Sequence, residues 1–203
     1  MAFSYVGNFP NQQVSNSGVL SLDDINNLES NGELGGSLEL IASTSHSGDV
    51  SQIDFTDIKA PKYDVHLLQI KDFDFETSIG RIGIQLRESG TWETGTNYMY
   101  SIKYHETTGS YGNQRQTAYE YMQLEFQLST AGTMNCYAYL YGLGDSNKYS
   151  FMTYDLHMVG STYGSHRFGG GALTQASAVD GIRIMRSGSS NFTGYNIKLF
   201  GVK

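Results

Sequence analysis

The chain has 203 residues, a formal net charge of -7, one cysteine and two prolines. That length suffices for one sizeable core, the lone cysteine excludes an intrachain disulfide, and an acidic balance with scattered Lys and Arg argues against nucleic acid as a partner. Glycine is frequent, at 24 residues, and 15 tyrosines and 10 phenylalanines far outnumber the single tryptophan, a mixture that favours strands and turns over helices.

The amino end, MAFSYVGNFPNQQ, carries neither a basic region nor an apolar run. No later stretch approaches the roughly 20 apolar residues of a membrane span. The expectation is a protein made in the cytoplasm, without a secretion signal and not inserted in a membrane. Residues 1–36 are rich in Asn, Ser, Gly and Gln, with Phe3, Tyr5, Val6 and Phe9 as apolar anchors lacking an obvious strand partner. Ser21 before Leu22, Asp23 and Asp24 reads as an N-cap, since its hydroxyl can accept a free backbone N–H and the carboxylates suit the positive helix end. Leu22, Ile25 and Leu28 then form a narrow apolar stripe, and Asn31-Gly32 stops the helix. A helix this short must dock on something. It could pack on its own domain or on other chains, and the spaced anchors in a polar segment favour the second.

From Ser37 onward, alternation of apolar and polar residues dominates. Ser37 to Ser43 and Val50 to Ile58 are read as a first pair of strands, followed by Tyr63 to Ile70, Ile79 to Leu86, Tyr98 to Tyr104 and Tyr119 to Leu128. In the last of these, Met122, Leu124, Phe126 and Leu128 are expected in the core, with Tyr121, Gln123, Glu125 and Gln127 outside. Met134 to Met158 reads as a hairpin: Met134, Cys136, Ala138 and Leu140 share one face of its first arm, Tyr137, Tyr139 and Tyr141 the other. Its turn is built from Gly142, Gly144, Asp145, Ser146 and Asn147. Gly160 to Ala178 is expected to be a Gly-rich connection before Gly181 to Met185 and Tyr195 to Val202. About ten strands with regular turns predict an all-β, two-sheet antiparallel jelly-roll sandwich over residues 37–203. Residues 1–36 would form an extended N-terminal arm carrying one short helix.

Residues that could carry chemistry are few. Asp72, Asp74 and Glu76 alternate with Phe73 and Phe75 and could offer oxygen ligands to calcium, but the spacing lacks the Gly and bidentate Glu of a calcium loop. A charged strand edge that resists aggregation is the preferred reading. The histidines, His46, His66, His105, His157 and His166, are dispersed without short ligand spacing, so no metal and no cofactor is expected. Gly109-Ser110-Tyr111-Gly112 misses the spacing of a nucleophile elbow. Cys136 is expected to be a buried hydrophobe, and Asn191-Phe192-Thr193 an accidental glycosylation match. What remains is aromatic surface, for tyrosine's flat apolar body and polar tip suit both sugar stacking and subunit contacts.

The segments VGNFPNQQ, NSGVLSLDDINNL, SLELIASTS, YLYGLGDSNKYSFMTY, VDGIRI and TGYNIKLFGVK together resemble small jelly-roll virion structural proteins of tailed bacteriophages, cyanophage-like ones in particular. The resemblance covers nearly the whole chain. It implies an exposed virion part, commonly trimeric and not an enzyme, in contact with other virion proteins. The arm would attach through Phe3, Tyr5, Phe9, Leu22, Ile25 and Leu28. Loops at Gly109 to Gln114 and Ser161 to Gly171, with Tyr111, Asn113, Tyr163 and His166, would meet host surface glycan. A tail fibre usually carries a long shaft, which this sequence lacks, so a capsid decoration protein is the alternative. A free carbohydrate-binding module or glycosidase is a further one.

Overall fold

The structure is a computed structural model that describes residues 23, 24, 27, 37–75, 80–128, 132–189 and 191–203. The chain divides into two compact units, Met1–Ser37 and Leu38–Lys203. In the first, Asp23, Asp24 and Asn27 are helical. The assembly contacts expected at Phe3, Tyr5, Phe9, Leu22, Ile25 and Leu28 lie outside the described residues.

The second unit is all-β. In chain order its strands are β1 (Leu38–Val50), β2 (Gln52–Phe55), β3 (Val65–Phe75), β4 (Gly80–Glu88), β5 (Thr91–Trp92), β6 (Tyr98–Glu106) and β7 (Tyr111–Tyr119). They continue with β8 (Met122–Leu128), β9 (Gly132–Tyr141), β10 (Ser150–Gly160), β11 (Gly164–Leu173), β12 (Val179–Arg186) and β13 (Phe192–Val202). Among the described residues these form two antiparallel sheets packed as a sandwich. The larger has the order β1-β13-β3-β9-β10-β11-β6-β7, and the smaller has β2-β12-β4-β5, with β8 also paired to β4.

The core fills the space between the sheets with the apolar phase of each strand. Leu68, Ile70, Ala138, Leu140, Leu156, Ile197 and Leu199 of the larger sheet are fully buried, as are Ile82, Ile84, Leu86, Ile182 and Ile184 of the smaller. Each Leu or Ile side chain so removed from water contributes about 1.5–3 kcal/mol. The hairpin of β9 and β10 buries Met134 and Cys136 from one arm and Met152, Tyr154 and Met158 from the other, and Gly142 takes the positive φ of 71° that its turn requires.

Three expectations need correction. The stretch expected as a Gly-rich connection contains β11, which pairs on both sides, with β10 and with β6. Likewise Tyr111 to Gln114 belongs to β7, so the two expected receptor loops are largely strand. Thirdly, Tyr121 just before β8 is buried rather than outside, and so, fully, are Gln123 and Glu125 of β8. Each of the latter two finds a polar partner on the inner face of the larger sheet: Tyr100 Oη donates to Gln123 Oε1 at 3.0 Å, and Arg167 pairs with Glu125.

Candidate functional site

Successive residues of a strand point to opposite faces, so the register of the larger sheet dictates which side chains meet on its outer surface. One cross-strand row runs Leu38, Val202, Val65, Tyr141, Phe151, Ala172, Met99 and is entirely apolar. The next runs Leu40, Phe200, Leu67, Tyr139, Thr153, Gly170, Ser101, Arg115. A third holds Lys198, Gln69, Tyr137, Asp155, Phe168, Lys103 and Asn113. Beyond it lie Asn135, His157, His166, His105 and Tyr111. The face therefore grades from an apolar band at one end to a patch of rings and polar groups at the other.

In that patch the rings form a continuous chain. His157 and His166 stack with centroids 4.2 Å apart and planes 1° from parallel. Phe168 lies 5.3 Å from His166 and 6.3 Å from His105, nearly coplanar in tilt with the latter at 7°. His105 in turn stacks on Tyr111 at 6.4 Å. Tyr111 is 79% exposed, and Tyr137, Phe151 and Val159 are also exposed large apolar side chains of this sheet.

Asp155 is the acidic group of the patch. A carboxylate only accepts, so His166 Nε2 carries the hydrogen and donates to Asp155 Oδ2 at 2.8 Å. His157 Nε2 stands 3.5 Å from Asp155 Oδ1. One ligand-capable atom from each of Asp155, His157 and His166 falls within 4.8 Å of the other two.

Of the four residues expected to contact a receptor, the sheet brings three to this surface. Tyr111 and His166 share the outermost row through His105, and Asn113 stands in the neighbouring row, so strands rather than loops present them. Tyr163 lies in the β10–β11 turn, where its carbonyl accepts from Gly160 N at 2.9 Å and its partly buried ring packs on the core. Burial, with nearby Glu125 adding to it, pushes its hydroxyl pKa up. The expectation of dispersed histidines fails for His105, His157 and His166, because antiparallel pairing joins residues that are far apart in sequence.

Asp72 and Asp74 enter different local structures. Asp72 has a positive φ of 49° within an irregularity of β3 between Ile70 and Phe73, and its N–H donates to Asn135 Oδ1 at 3.1 Å. Asp74 accepts from the hydroxyl of Thr133, and Glu76 lies outside the described residues. Burial first, and the charge of Asp155 second, push the Cys136 thiol far up, so it behaves as an inert hydrophobe.

In the second arm of the hairpin, Met152, Tyr154, Leu156 and Met158 alternate against Thr153, Asp155 and His157, which puts Asp155 and His157 on one strand face, but nothing local reveals His105, Phe168 and their meeting with His166. The available signal was the alternation of Ser165 and Arg167 against His166 and Phe168. No protein-family model matches this chain, and the search of curated proteins found no match.

Proposed function

We propose that this chain is a nonenzymatic structural component of a tailed-phage virion, a short tail fibre or tail-associated receptor-binding part that works as a homotrimer. Other virion proteins hold it through residues 1–36, and host surface glycan meets the patch of β10, β11, β6 and β7. The observation that carries this reading is the ring chain His157, His166, Phe168, His105, Tyr111. Flat ring faces suit the C–H faces of a sugar, and Asp155, Lys103 and Asn113 in the adjoining row supply acceptors and donors for its hydroxyls.

Strand pairing supports the jelly-roll part of the reading. Wrapping one long hairpin into two sheets pairs the first strand with the last, the second with the next to last, and so inward. Here β1 pairs β13, β2 pairs β12, β3 pairs β9 and β4 pairs β8. The hairpins β6–β7 and β10–β11 then widen one sheet beyond that frame and bear the patch.

A glycan array carrying host-cell polysaccharides tests the reading. Binding is expected, and Tyr111→Ala combined with Phe168→Ala weakens it about tenfold or more, since each ring contact is worth about 0.5–1.5 kcal/mol. No binding, or hydrolysis of a polysaccharide, rejects the reading. A capsid decoration role is the second reading, favoured by the apolar band around Leu38, Leu40, Phe151 and Met99, which suits protein contact. Copy number separates them: hundreds per purified particle indicate the capsid, a few dozen or fewer the tail. Glycan binding by a chain missing from particles indicates a free carbohydrate-binding module.

A further inference from the structure

The geometry points to a divalent transition-metal site, of the zinc class, formed by Asp155, His157 and His166 on the outer face of the larger sheet. His157 and His166 are directly opposed residues of β10 and β11, and the Cβ atoms of such a pair lie about 4.5–5.5 Å apart. Asp155 is two residues before His157 on the same strand and therefore on the same face. It also stands diagonal to His166, because its direct partner is Phe168.

What separates this cluster from an ordinary surface ion pair is convergence. An Asp–His hydrogen bond needs one imidazole, and His166 supplies it at 2.8 Å. Yet His157, with 69% of its side chain exposed, stacks parallel to His166 and presents Nε2 toward the other oxygen of the same carboxylate at 3.5 Å. Both nitrogens thus approach the one carboxylate, with each pair of ligand atoms inside 4.8 Å, and turning the two parallel rings toward each other lets their lone pairs meet at one ion. A tetrahedral ion bound at about 2.0–2.1 Å requires these atoms to draw together by on the order of 1 Å. Side chains exposed by 26% to 69% can do that by small rotations while the paired strands stay fixed.

Two imidazoles and one carboxylate suit Zn²⁺, Co²⁺, Ni²⁺ or Cu²⁺, whereas Ca²⁺ and Mg²⁺ prefer all-oxygen sets. Three protein ligands leave a coordination position open to water. This site does not depend on the glycan reading, since its ligands are the chain's own.

The test uses the full-length chain without an affinity tag, stripped with EDTA and titrated calorimetrically with ZnCl₂. One zinc per chain is expected, with His157→Ala and His166→Ala each weakening binding by at least about tenfold. His46→Ala, on the edge strand β1, leaves it unchanged. Cobalt in place of zinc gives the visible absorption of a four-coordinate ion, and that absorption disappears in the His157→Ala/His166→Ala double variant. Three results overturn the site: no saturable zinc binding, binding unaltered in a double variant with native circular dichroism, or preferential binding of CaCl₂.

Discussion

His66 illustrates what a single polar residue does in the middle of this sandwich. It sits in β3 with no exposed surface, donating from Nε2 to the Ile58 carbonyl at 2.8 Å and meeting the Tyr63 ring edge-on. Its Nδ1 has no hydrogen-bond partner. Protonation would place a charged N–H there without water, so burial lowers the pKa from its ordinary 6.5, and the Ile58 carbonyl offsets this only in part. An unfolded chain then takes up the proton at a higher pH than the folded one. Stability from this residue is complete above pH 6.5, declines as pH falls toward the folded pKa, and is constant below it. The slope in that window reaches at most about 1.4 kcal/mol per pH unit. Urea midpoints should accordingly drop as the pH falls below about 6.5. His66→Gln, which keeps a donor for Ile58 and cannot titrate, should flatten that drop even where it lowers stability overall. An equal drop in the variant would assign the pH response to other groups. Glu39 acts in a separate range, since bonds from Lys62, then Tyr63 and Lys203, hold its carboxyl at about 2.

At the scale of the element, β11 explains both the candidate site and the main misreading of the fold. A Cβ on Gly169 would stand 2.3 Å from the Ser101 carbonyl oxygen, and one on Gly170 only 2.4 Å from that of Met152. The three consecutive glycines let β11 lie close to the strands on both sides, which in turn aligns His166 with His157 and His105. Gly170→Ala forces backbone apart and is expected to destabilise by about 1–3 kcal/mol. Calorimetric unfolding should show this as a loss of several degrees, and an unchanged Tm would mean that β11 has room it is not using. The same glycines hide the strand from sequence, because residues 169–171 have no side chains to alternate. Arg167 and Glu125 hide it further: charge reads as surface, whereas the two neutralise each other inside the sandwich. By contrast β9, β10 and β6 are legible because each keeps an unbroken two-residue alternation over nine or more residues. The site is legible only where it is local, as for Asp155 and His157. Its other members depend on pairing between strands up to about sixty positions apart, as Ser165 is from Glu106, and no local periodicity encodes that.

For the whole molecule, the apolar band on the larger sheet bears on assembly. The first row crosses seven strands and the second is apolar over four, from Leu40 to Tyr139, so at about 4.8 Å between strands and about 7 Å per row the band covers on the order of 350 Å². That matches the largest apolar patch of an ordinary monomer and lies below the roughly 800 Å² per partner of a standard interface. A second copy of this chain suits it: the row from Leu38 to Met99 carries no charge, so copies with a net charge of -7 can approach there with the least repulsion. In the homotrimer proposed above, this shortfall makes the band alone a weak contact and leaves the rest of the association to residues 1–36. On that proposal, sedimentation of the full chain should show a homotrimer at micromolar concentration. A chain of residues 38–203, one of the two compact units, should remain folded but associate at least about tenfold more weakly. Phe151 is 49% exposed and Leu40 53%, so Phe151→Asp and Leu40→Asp should leave the fold intact, place a carboxylate in the interface of every copy and shift the full chain toward monomer. A trimer indifferent to both substitutions would place its contact elsewhere and leave this band to a different protein.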